Sequence, residues 1–293
     1  MRIFKGSGVA LITPFNEDMS INYAKLEELI EWHIKNKTDA LIIAGTTGEA
    51  STLPDKEHIE LVRKSVEMVA GRIPVIAGSG SNDTNHGIKL SIECEKAGVD
   101  GLLIVTPYYN KTNRQGLINH YTAIANKVNI PIILYNVPSR TGMSIPLDVV
   151  VELSNHKNII GIKEASGDIS YLAEIARVCN DDFSIYSGND DIIVPILSLG
   201  GVGVISVLGN IMPLETHNLV ISYLEGDVLN SKNLQLSMNS LVKTLFLEAN
   251  PIPVKSAMNL MNFKVGEVRQ PLWEMSPKPL ELLKIEMKKL NLI

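Results

Sequence analysis

The segment GIKEASGD, which begins at Gly161, places a lysine after a run of isoleucines. Lys163 comes directly after residues 159–162, whose pattern is typical of a buried strand. Most lysines at the end of such a strand extend their charged group to water. An amine that stays buried instead favours its neutral form, which is a nucleophile and can form an imine with a carbonyl compound. Lys163 alone leaves both interpretations open.

Two glycine-containing parts of the chain offer sites for an anion. GTTGE, residues 45–49, combines the hydroxyls of Thr46 and Thr47 with backbone N–H groups at a turn, which can hold a carboxylate or a phosphate. The same turn is also explained if Thr47 caps the helix that follows. Later in the chain, SGND contains Gly188 and GVISV contains Ile205. Glycines there either admit a phosphate or keep the turn open.

Aromatic hydroxyls and a guanidinium follow two further apolar runs. TPYYNK contains Tyr108 and Tyr109, and because adjacent side chains alternate along an extended segment, at most one of them faces a given site. YNVPSRTG contains Tyr135 and Arg140, which taken singly are a packing tyrosine and a surface arginine. Together with Lys163 these groups suit Schiff-base chemistry on a keto acid. The amine attacks the carbonyl, the anion site holds the carboxylate, and a phenol transfers protons.

The candidate groups follow short apolar runs that are rich in Val, Ile and Leu. The runs are GVALITPF from Gly8, DALIIAG from Asp39, PVIAGSG from Pro74, GLLIVTPYY from Gly101, PIILYNVP from Pro131, IIGIKEAS from Ile159, FSIYSGND from Phe183 and GVGVISV from Gly201. Segments with helical periodicity separate them, such as Tyr23 to Lys35 and Lys56 to Val69. Continuous apolar strands that alternate with helices predict a parallel sheet covered on both faces.

The number of repeating units predicts the fold class. About eight strand–helix units before residue 225 match a closed (β/α)8 TIM barrel, whose active site lies at the C-terminal ends of the strands. An open dinucleotide-binding sheet is disfavoured because GSGSND, from Gly78, lacks the third glycine of that turn. From residue 226 helices broken at NPIP and SPKP replace the strands. We therefore predict a catalytic barrel over residues 1–225 and a C-terminal helical domain over residues 226–293.

Composition narrows the class of protein. The 293 residues carry a net charge of −5, which argues against binding to nucleic acid or to an anionic membrane. No apolar stretch approaches the roughly 18 residues of a membrane helix, and Pro14 ends the first apolar run too early for a signal peptide. Cys94 and Cys179 lack metal-like spacing, which favours a reduced, cytoplasmic protein. The six histidines are scattered, so we expect no metal site.

Six motifs in this order and spacing resemble one family over essentially the whole chain. GTTGE, TPYYNK, YNVPSRTG, GIKEASGD, GVISV and NPIPVK are similar to the 4-hydroxy-tetrahydrodipicolinate synthase (dihydrodipicolinate synthase) family. GTTGE and GIKEA alone would indicate only the wider superfamily of pyruvate-dependent class I aldolases, which includes N-acetylneuraminate lyase and keto-deoxy-sugar acid aldolases. Arg140 favours the synthase, because it resembles the arginine that receives the carboxylate of aspartate semialdehyde. A non-catalytic binding protein with this barrel is a further alternative, against which the intact set of Lys163, Tyr135 and Arg140 argues.

The resemblance implies a lyase that condenses pyruvate with L-aspartate 4-semialdehyde through a lysine Schiff base, in diaminopimelate and lysine biosynthesis. Lys163 corresponds to the Schiff-base lysine and Tyr135 to the proton donor and acceptor. Thr46 and Tyr109 correspond to its partners in a proton relay. No metal or organic cofactor is implied.

The resemblance also implies how the substrate site and the assembly are built. Thr47 corresponds to the residue that binds the pyruvate carboxylate. Gly188 and Ile205 would line the pyruvate end of the site, Ile205 through its backbone. The tyrosine that corresponds to Tyr109 reaches into the site of a neighbouring subunit, which implies a tight dimer within a homotetramer.

Some members of the family are inhibited by lysine, which binds in a crevice between subunits. Tyr108, Asn82 and His58 match positions of that crevice. His86 stands where a glutamate would engage the α-amino group of lysine, and Asp55 stands at the position of a histidine. Replacing a carboxylate by an imidazole removes a charge-assisted hydrogen bond. We therefore expect an enzyme that is insensitive to millimolar lysine.

Overall fold

The computed structural model describes residues 2–180 and 182–293. Eight parallel strands form one closed barrel in chain order, in which the first strand pairs with the second and the eighth. They are β1 Gly6–Ala10, β2 Ala40–Ile43, β3 Val75–Gly78, β4 Gly101–Val105, β5 Ile132–Asn136, β6 Ile159–Glu164, β7 Ser184–Ser187 and β8 Gly203–Ser206. The predicted (β/α)8 fold is confirmed, although β1 begins at Gly6, earlier than the apolar run from Gly8 indicated.

Helices follow the strands and cover the barrel. They are α1 Tyr23–Lys35, α2 Asp55–Val69, α3 Thr84–Lys96, α4 Arg114–Ala125, α5 Pro138–Thr141, α6 Leu147–Ser154, α7 Ile169–Val178, α8 Ile193–Ser198, α9 Pro213–Leu224, α10 Val228–Thr244, α11 Ile252–Leu260 and α12 Pro277–Lys289. The predicted limits of α1 are confirmed, and the side chain of Asn22 caps its start by accepting from the N–H of Lys25. None of the helices in the described part of the chain combines the length and apolar character needed to cross a bilayer.

The strands bury both faces, which is why their sequences read as continuous apolar runs. Side chains at successive positions point alternately into the barrel and toward the helices. On β2, Ile42 belongs to the cluster that fills the barrel interior, whereas its neighbours Leu41 and Ile43 pack in the cluster beneath the helices. Tyr135 and Ile205 belong to the interior cluster. A side chain at the C-terminal end of an inward row therefore faces the barrel mouth.

The C-terminal helices share an apolar core with the barrel. Ile12, which follows β1, and Val204 on β8 pack in one cluster with Met238 of α10, Met258 of α11 and Leu283 of α12. The connection between α10 and α11 passes over the barrel mouth, because residues 246–250 contribute to the wall of the cavity there. The helical segment is therefore placed where it can take part in the site.

Candidate active site

Lys163 lies near the C-terminal end of β6 and is 5% exposed. Its strand partner in register is Tyr135 on β5, and Nζ lies 4.4 Å from the centroid of the tyrosine ring. Among the described residues, no carboxylate forms an ion pair with this amine. The amine is thus buried against an aromatic face and does not extend to bulk water, which favours the nucleophilic interpretation over the surface one.

A cavity of about 490 Å³ opens at the C-terminal ends of the strands. Six of the residues that the sequence singled out lie in its wall: Thr46, Thr47, Tyr135, Arg140, Lys163 and Gly188. They come from β5, β6 and the segments that follow β2, β5 and β7. An amine, a phenol, two hydroxyls and a guanidinium therefore surround one space that is large enough for two small organic acids.

Thr47 is held by the C-terminal segment. Its Oγ1 accepts a hydrogen bond of 2.9 Å from Nδ2 of Asn250, and the side chain is buried. The alternative interpretation of Thr47 as a helix cap is wrong. A turn of 3-10 helix over Ala50–Thr52 follows, and the capping residue is Glu49, with a left-handed backbone (φ 57°). The left-handed backbone of Glu49 is not that of a right-handed helix, so the turn begins at Ala50 and Thr47 lies two residues before the capping position.

Glu49, the last residue of GTTGE, is anchored inside the protein. Its two carboxylate oxygens accept from Nζ of Lys255 on α11 at 3.0 Å and from the backbone N–H of Arg269 at 2.8 Å. Lys255 also donates to the carbonyl of Glu267 at 2.6 Å. Burial lowers the pKa of Lys255, and the charge of Glu49 acts in the opposite direction. A buried ion pair with satisfied hydrogen bonds fixes the loop that carries Thr46 and Thr47.

Arg140 occupies the single helical turn α5 and lies at the rim of the cavity. Its Nη2 donates to the backbone carbonyl of Asn250 at 3.0 Å. The guanidinium has further N–H groups with which it can bind a carboxylate bidentately. Its position at the mouth suits recognition of a second, incoming acid.

The segments after β7 and β8 close the side of the site next to Lys163. Asp190 is buried, and its Oδ2 accepts from the backbone N–H groups of Val207 and Leu208 at 3.0 and 2.9 Å. Burial raises the pKa of the Asp190 carboxyl, while the hydroxyl of Ser206, the two backbone N–H groups and the charge of Lys163 oppose that shift. Gly188 has no room for a side chain, since an added Cβ would lie 2.5 Å from the Cβ of Ala165. This glycine permits the close approach of two backbone segments.

Two predicted site residues lie outside the cavity wall of the described chain. Ile205 is fully buried in the barrel interior, and Val207 lies in the wall instead. Tyr109 is 91% exposed, and its backbone is left-handed (φ 70°). The expectation of an extended segment is therefore wrong at Tyr109, where the chain turns and projects the ring from the surface. Tyr108 lines a neighbouring cavity.

The histidines lie apart from the cavity at the barrel mouth. His33 is fully buried, and its Nδ1 lies 3.0 Å from Oγ1 of Thr38. Burial lowers the pKa of His33 to about 3, so the ring is neutral. Within residues 2–180 and 182–293, no group of three or more His, Cys, Asp or Glu side chains is placed to hold a metal ion.

A known protein family matches almost the whole chain. The model of the dihydrodipicolinate synthetase family matches residues 3–290. The chain belongs to this family. It is 56% identical to the 4-hydroxy-tetrahydrodipicolinate synthase of Thermoanaerobacter sp. (strain X514), over 100% of this chain and 99% of that protein. The predicted family, function and enzyme class are therefore confirmed: the chain is similar throughout to lyase-type enzymes of lysine biosynthesis.

Solved structures of the dihydrodipicolinate synthetase family have the same fold. The dihydrodipicolinate synthase from Aquifex aeolicus has a TM-score of 0.96 at 43% identity and covers 99% of both chains. The chloride-inhibited enzyme from Acinetobacter baumannii, complexed with pyruvate, has a TM-score of 0.97 at 39% identity and covers 100% of both chains. Backbone agreement over the whole length includes the C-terminal helices.

A second cavity of about 360 Å³ lies next to the first. Of the positions matched to the inhibitor crevice, Tyr108, His58, His86 and Asp55 lie in the wall of this cavity, whereas Asn82 does not. Nε2 of His86 lies 2.9 Å from Oδ1 of Asp55, and Nε2 of His58 lies 2.9 Å from the carbonyl oxygen of Gly78. One oxygen of Asp55 is thus engaged by His86, while the side chain is 65% exposed.

Sequence reasoning missed two residues that hold the loop of Thr47 and Glu49 in place. Asn250 and Lys255 both lie in NPIPVK, a motif that contributes to the family resemblance but does not by itself predict a contact with the site. Asn250 contacts Thr47, and Lys255 contacts Glu49. The sequence did contain one signal: Lys255 lies among apolar residues of α11, and a charge that is buried there needs a partner. The sequence could not say which carboxylate that partner was.

Proposed function

We propose that the chain condenses pyruvate with L-aspartate 4-semialdehyde through an imine on Lys163, giving 4-hydroxy-tetrahydrodipicolinate for diaminopimelate and lysine biosynthesis. The observation that carries this proposal is the buried amine of Lys163 next to the phenol of Tyr135, in a cavity that also holds Thr47 and Arg140. The relatives at 56% identity are named for the same reaction.

The chemistry starts with attack of Lys163 Nζ on C2 of pyruvate. The C2 oxygen takes up protons and leaves as water, which gives the imine. Loss of a proton from C3 produces an enamine, whose C3 forms a carbon–carbon bond with the aldehyde carbon of the second substrate. The amine of that substrate then attacks C2 and displaces Lys163, which closes the ring. Each step moves protons, and the phenol of Tyr135 is the group placed to carry them.

We assign the roles of the other predicted site residues from the chemistry of their groups. The hydroxyl of Thr47 and the backbone N–H groups of its loop bind the pyruvate carboxylate, and Thr46 passes protons to and from Tyr135. Gly188 and the backbone near Ile205 form the pyruvate end. Arg140 binds the carboxylate of the semialdehyde. No metal or organic cofactor enters this scheme.

The exposed ring of Tyr109 supports a shared site. Tyr109 combines a ring that is 91% exposed with a left-handed backbone (φ 70°), an arrangement that presents the ring to a partner molecule. We assign it to the site of a second subunit, where it completes the relay of Thr46 and Tyr135. A tight dimer within a homotetramer is the proposed assembly.

The location and the division of the chain are also proposed. Cys94 and Cys179 are both free thiols, which fits the reducing cytoplasm. We keep the boundary at residue 225 as a functional one. Residues 1–225 carry the reacting groups, and the helical domain over residues 226–293 supplies Asn250 and Lys255, which support them.

Borohydride reduction in the presence of pyruvate tests the proposal. We expect one pyruvate adduct per chain, located by peptide mapping on Lys163. Lys255 is a matched internal control, because it is equally buried but is hydrogen-bonded to Glu49. An adduct on any other lysine, or none, would overturn the mechanism. Assays with aspartate semialdehyde and with N-acetylmannosamine then separate the synthase from the aldolase alternative.

A further inference from the structure

Asn250 connects the two groups that are proposed to bind carboxylates. It lies between α10 and α11, in the cavity wall, and is 6% exposed. Its side-chain Nδ2 donates to Oγ1 of Thr47 at 2.9 Å, and its backbone carbonyl accepts from Nη2 of Arg140 at 3.0 Å. Its Oδ1 is buried and has no hydrogen-bond partner within the described residues. Within the described residues, the side-chain hydrogen bond of Asn250 is therefore the one with Thr47.

The direction of the contact between Asn250 and Thr47 determines what the hydroxyl can do. A threonine hydroxyl has one hydrogen to donate and two lone pairs with which to accept. The amide N–H of Asn250 occupies a lone pair of Thr47 Oγ1, and it cannot accept the hydroxyl hydrogen. That hydrogen therefore remains available to the cavity. A carboxylate accepts hydrogen bonds only, so the arrangement suits an acid and disfavours a donor.

We infer that Asn250 is a positioning residue that sets the Thr47 hydroxyl as a donor toward the pyruvate carboxylate. It acts through Thr47 and touches no reacting atom. The same residue holds the guanidinium of Arg140 at the rim by its backbone, so that the two carboxylate-binding groups keep a fixed separation. This inference rests on the proposed function, because it takes the ligand of Thr47 to be pyruvate.

A second contact, which does not involve Asn250, holds the loop of Thr47 in place. Lys255, one and a half turns further along the chain, is bound to Glu49, so the loop of Thr47 and the start of α11 are fastened together independently of Asn250. Removing the Asn250 side chain should therefore leave the loop in place. What changes is the orientation of one hydroxyl.

A double-mutant cycle tests the inference, with Asn250→Ala, Thr47→Val and the two combined. We expect Thr47→Val to raise the KM for pyruvate about tenfold or more. Asn250→Ala should raise it about fivefold, with kcat and the KM for aspartate semialdehyde changed by less than about twofold. In the combined variant, Asn250→Ala should add nothing to the effect of Thr47→Val. Multiplication of the two effects would overturn the inference, because Asn250 would then act independently of Thr47.

The isosteric variant Asn250→Asp keeps the shape of the side chain but replaces its N–H donor by a charged acceptor. A carboxylate only accepts, so the Thr47 hydrogen would turn toward it and the cavity would meet lone pairs. We expect a larger increase in the KM for pyruvate than Asn250→Ala causes, although the shape is kept. An equal or smaller increase would contradict the inference. Rates of borohydride trapping with pyruvate provide the same readout if turnover is too low.

Asn259→Ala is the matched control. Asn259 lies on α11, and its amide bonds the backbone at Val265 and Gly266, away from the cavity. It should lower the melting temperature while leaving the KM for pyruvate unchanged. If it raises KM as Asn250→Ala does, general loosening of α11 explains both and the inference fails. If Thr47→Val itself leaves the KM for pyruvate unchanged, the assignment of Thr47 in the proposed function fails instead.

Discussion

Lys163 and Tyr135 occupy the same register position on neighbouring strands, so the amine lies over the tyrosine ring. Strands of a closed barrel are held by hydrogen bonds on both sides, which restricts the movement of one strand relative to the next. The nucleophile and the phenol therefore keep their separation without help from a mobile loop. Chemistry that needs an amine and a proton carrier on one carbon benefits from this rigidity.

Tyr135→Phe tests the phenol and keeps the ring against Lys163. We expect kcat to fall by about 10²-fold or more, the range for loss of a positioned acid–base group. The melting temperature should stay within a few degrees. Tyr121→Phe is the control, because Tyr121 donates to the carbonyl of Ile104 away from the site. A Tyr135→Phe enzyme with nearly normal kcat would remove Tyr135 from the proton path.

Arg140→Lys should separate the two substrates. Lysine keeps a donor for the carbonyl of Asn250 but cannot bind a carboxylate bidentately. We expect pyruvate trapping by borohydride to be retained, while the KM for aspartate semialdehyde rises about tenfold or more. Steady-state kinetics with each substrate varied in turn provides the measurement. Equal losses for both substrates would mean that Arg140 only holds the mouth of the barrel together.

Tyr109 can be tested by complementation. Tyr109→Phe and Lys163→Ala chains should each be nearly inactive alone. In a mixed dimer, the site with an intact Lys163 receives Tyr109 from the other chain, so part of the activity should return. Native mass spectrometry confirms that hybrids have formed. Hybrids that form and stay inactive would exclude a shared site.

Millimolar L-lysine should leave the activity unchanged. His86 replaces the carboxylate that would hold an ammonium group, and Asp55 is engaged by His86. Loss of a charge-assisted hydrogen bond costs roughly 1.5–3 kcal/mol, or about one to two powers of ten in affinity. Activity is titrated with L-lysine, and half-inhibition below about 1 mM would contradict the expectation. His86→Glu should restore sensitivity by at least about tenfold.

Acid should destabilise the fold through His33. Burial lowers the pKa of His33 from 6.5 to about 3. Between these values His33 is protonated in the unfolded chain but neutral in the folded chain. Its contribution to the free energy of unfolding is therefore complete above about pH 6.5 and is lost as the pH falls toward 3. Within this window one histidine contributes about 1.4 kcal/mol per pH unit. Urea unfolding from pH 6 to pH 4 should show this slope, and His33→Asn should reduce it by about that amount. Equal slopes in both proteins would show that His33 does not titrate in this way.

Much of the fold could be predicted because each element has its own local signal. Apolar runs marked all eight strands, and periodicity marked α1. The site was predictable where a group stood at a strand end, as Lys163 and Tyr135 do. Contacts between distant segments left no such signal. Asn250 lies 203 residues from Thr47, and only folding brings their side chains together. The sequence predicts an extended backbone at Tyr109, whereas the structure has a left-handed one, because nothing in TPYYNK specifies that turn.

The ion pair of Glu49 and Lys255 joins residues that are separated by 206 positions in the chain. On a ribosome, Glu49 leaves the exit tunnel long before Lys255 is synthesised. The loop that carries Thr47 therefore cannot form this ion pair until α11 has been made. A nascent chain that ends at residue 225 contains Lys163, Tyr135 and Arg140 but lacks the groups that fix the anion site. Long-range contacts of this kind form late and slowly. The capacity to bind a keto acid should therefore arise only once synthesis is almost complete. Until then, we expect the nascent barrel neither to bind the acid nor to react with it.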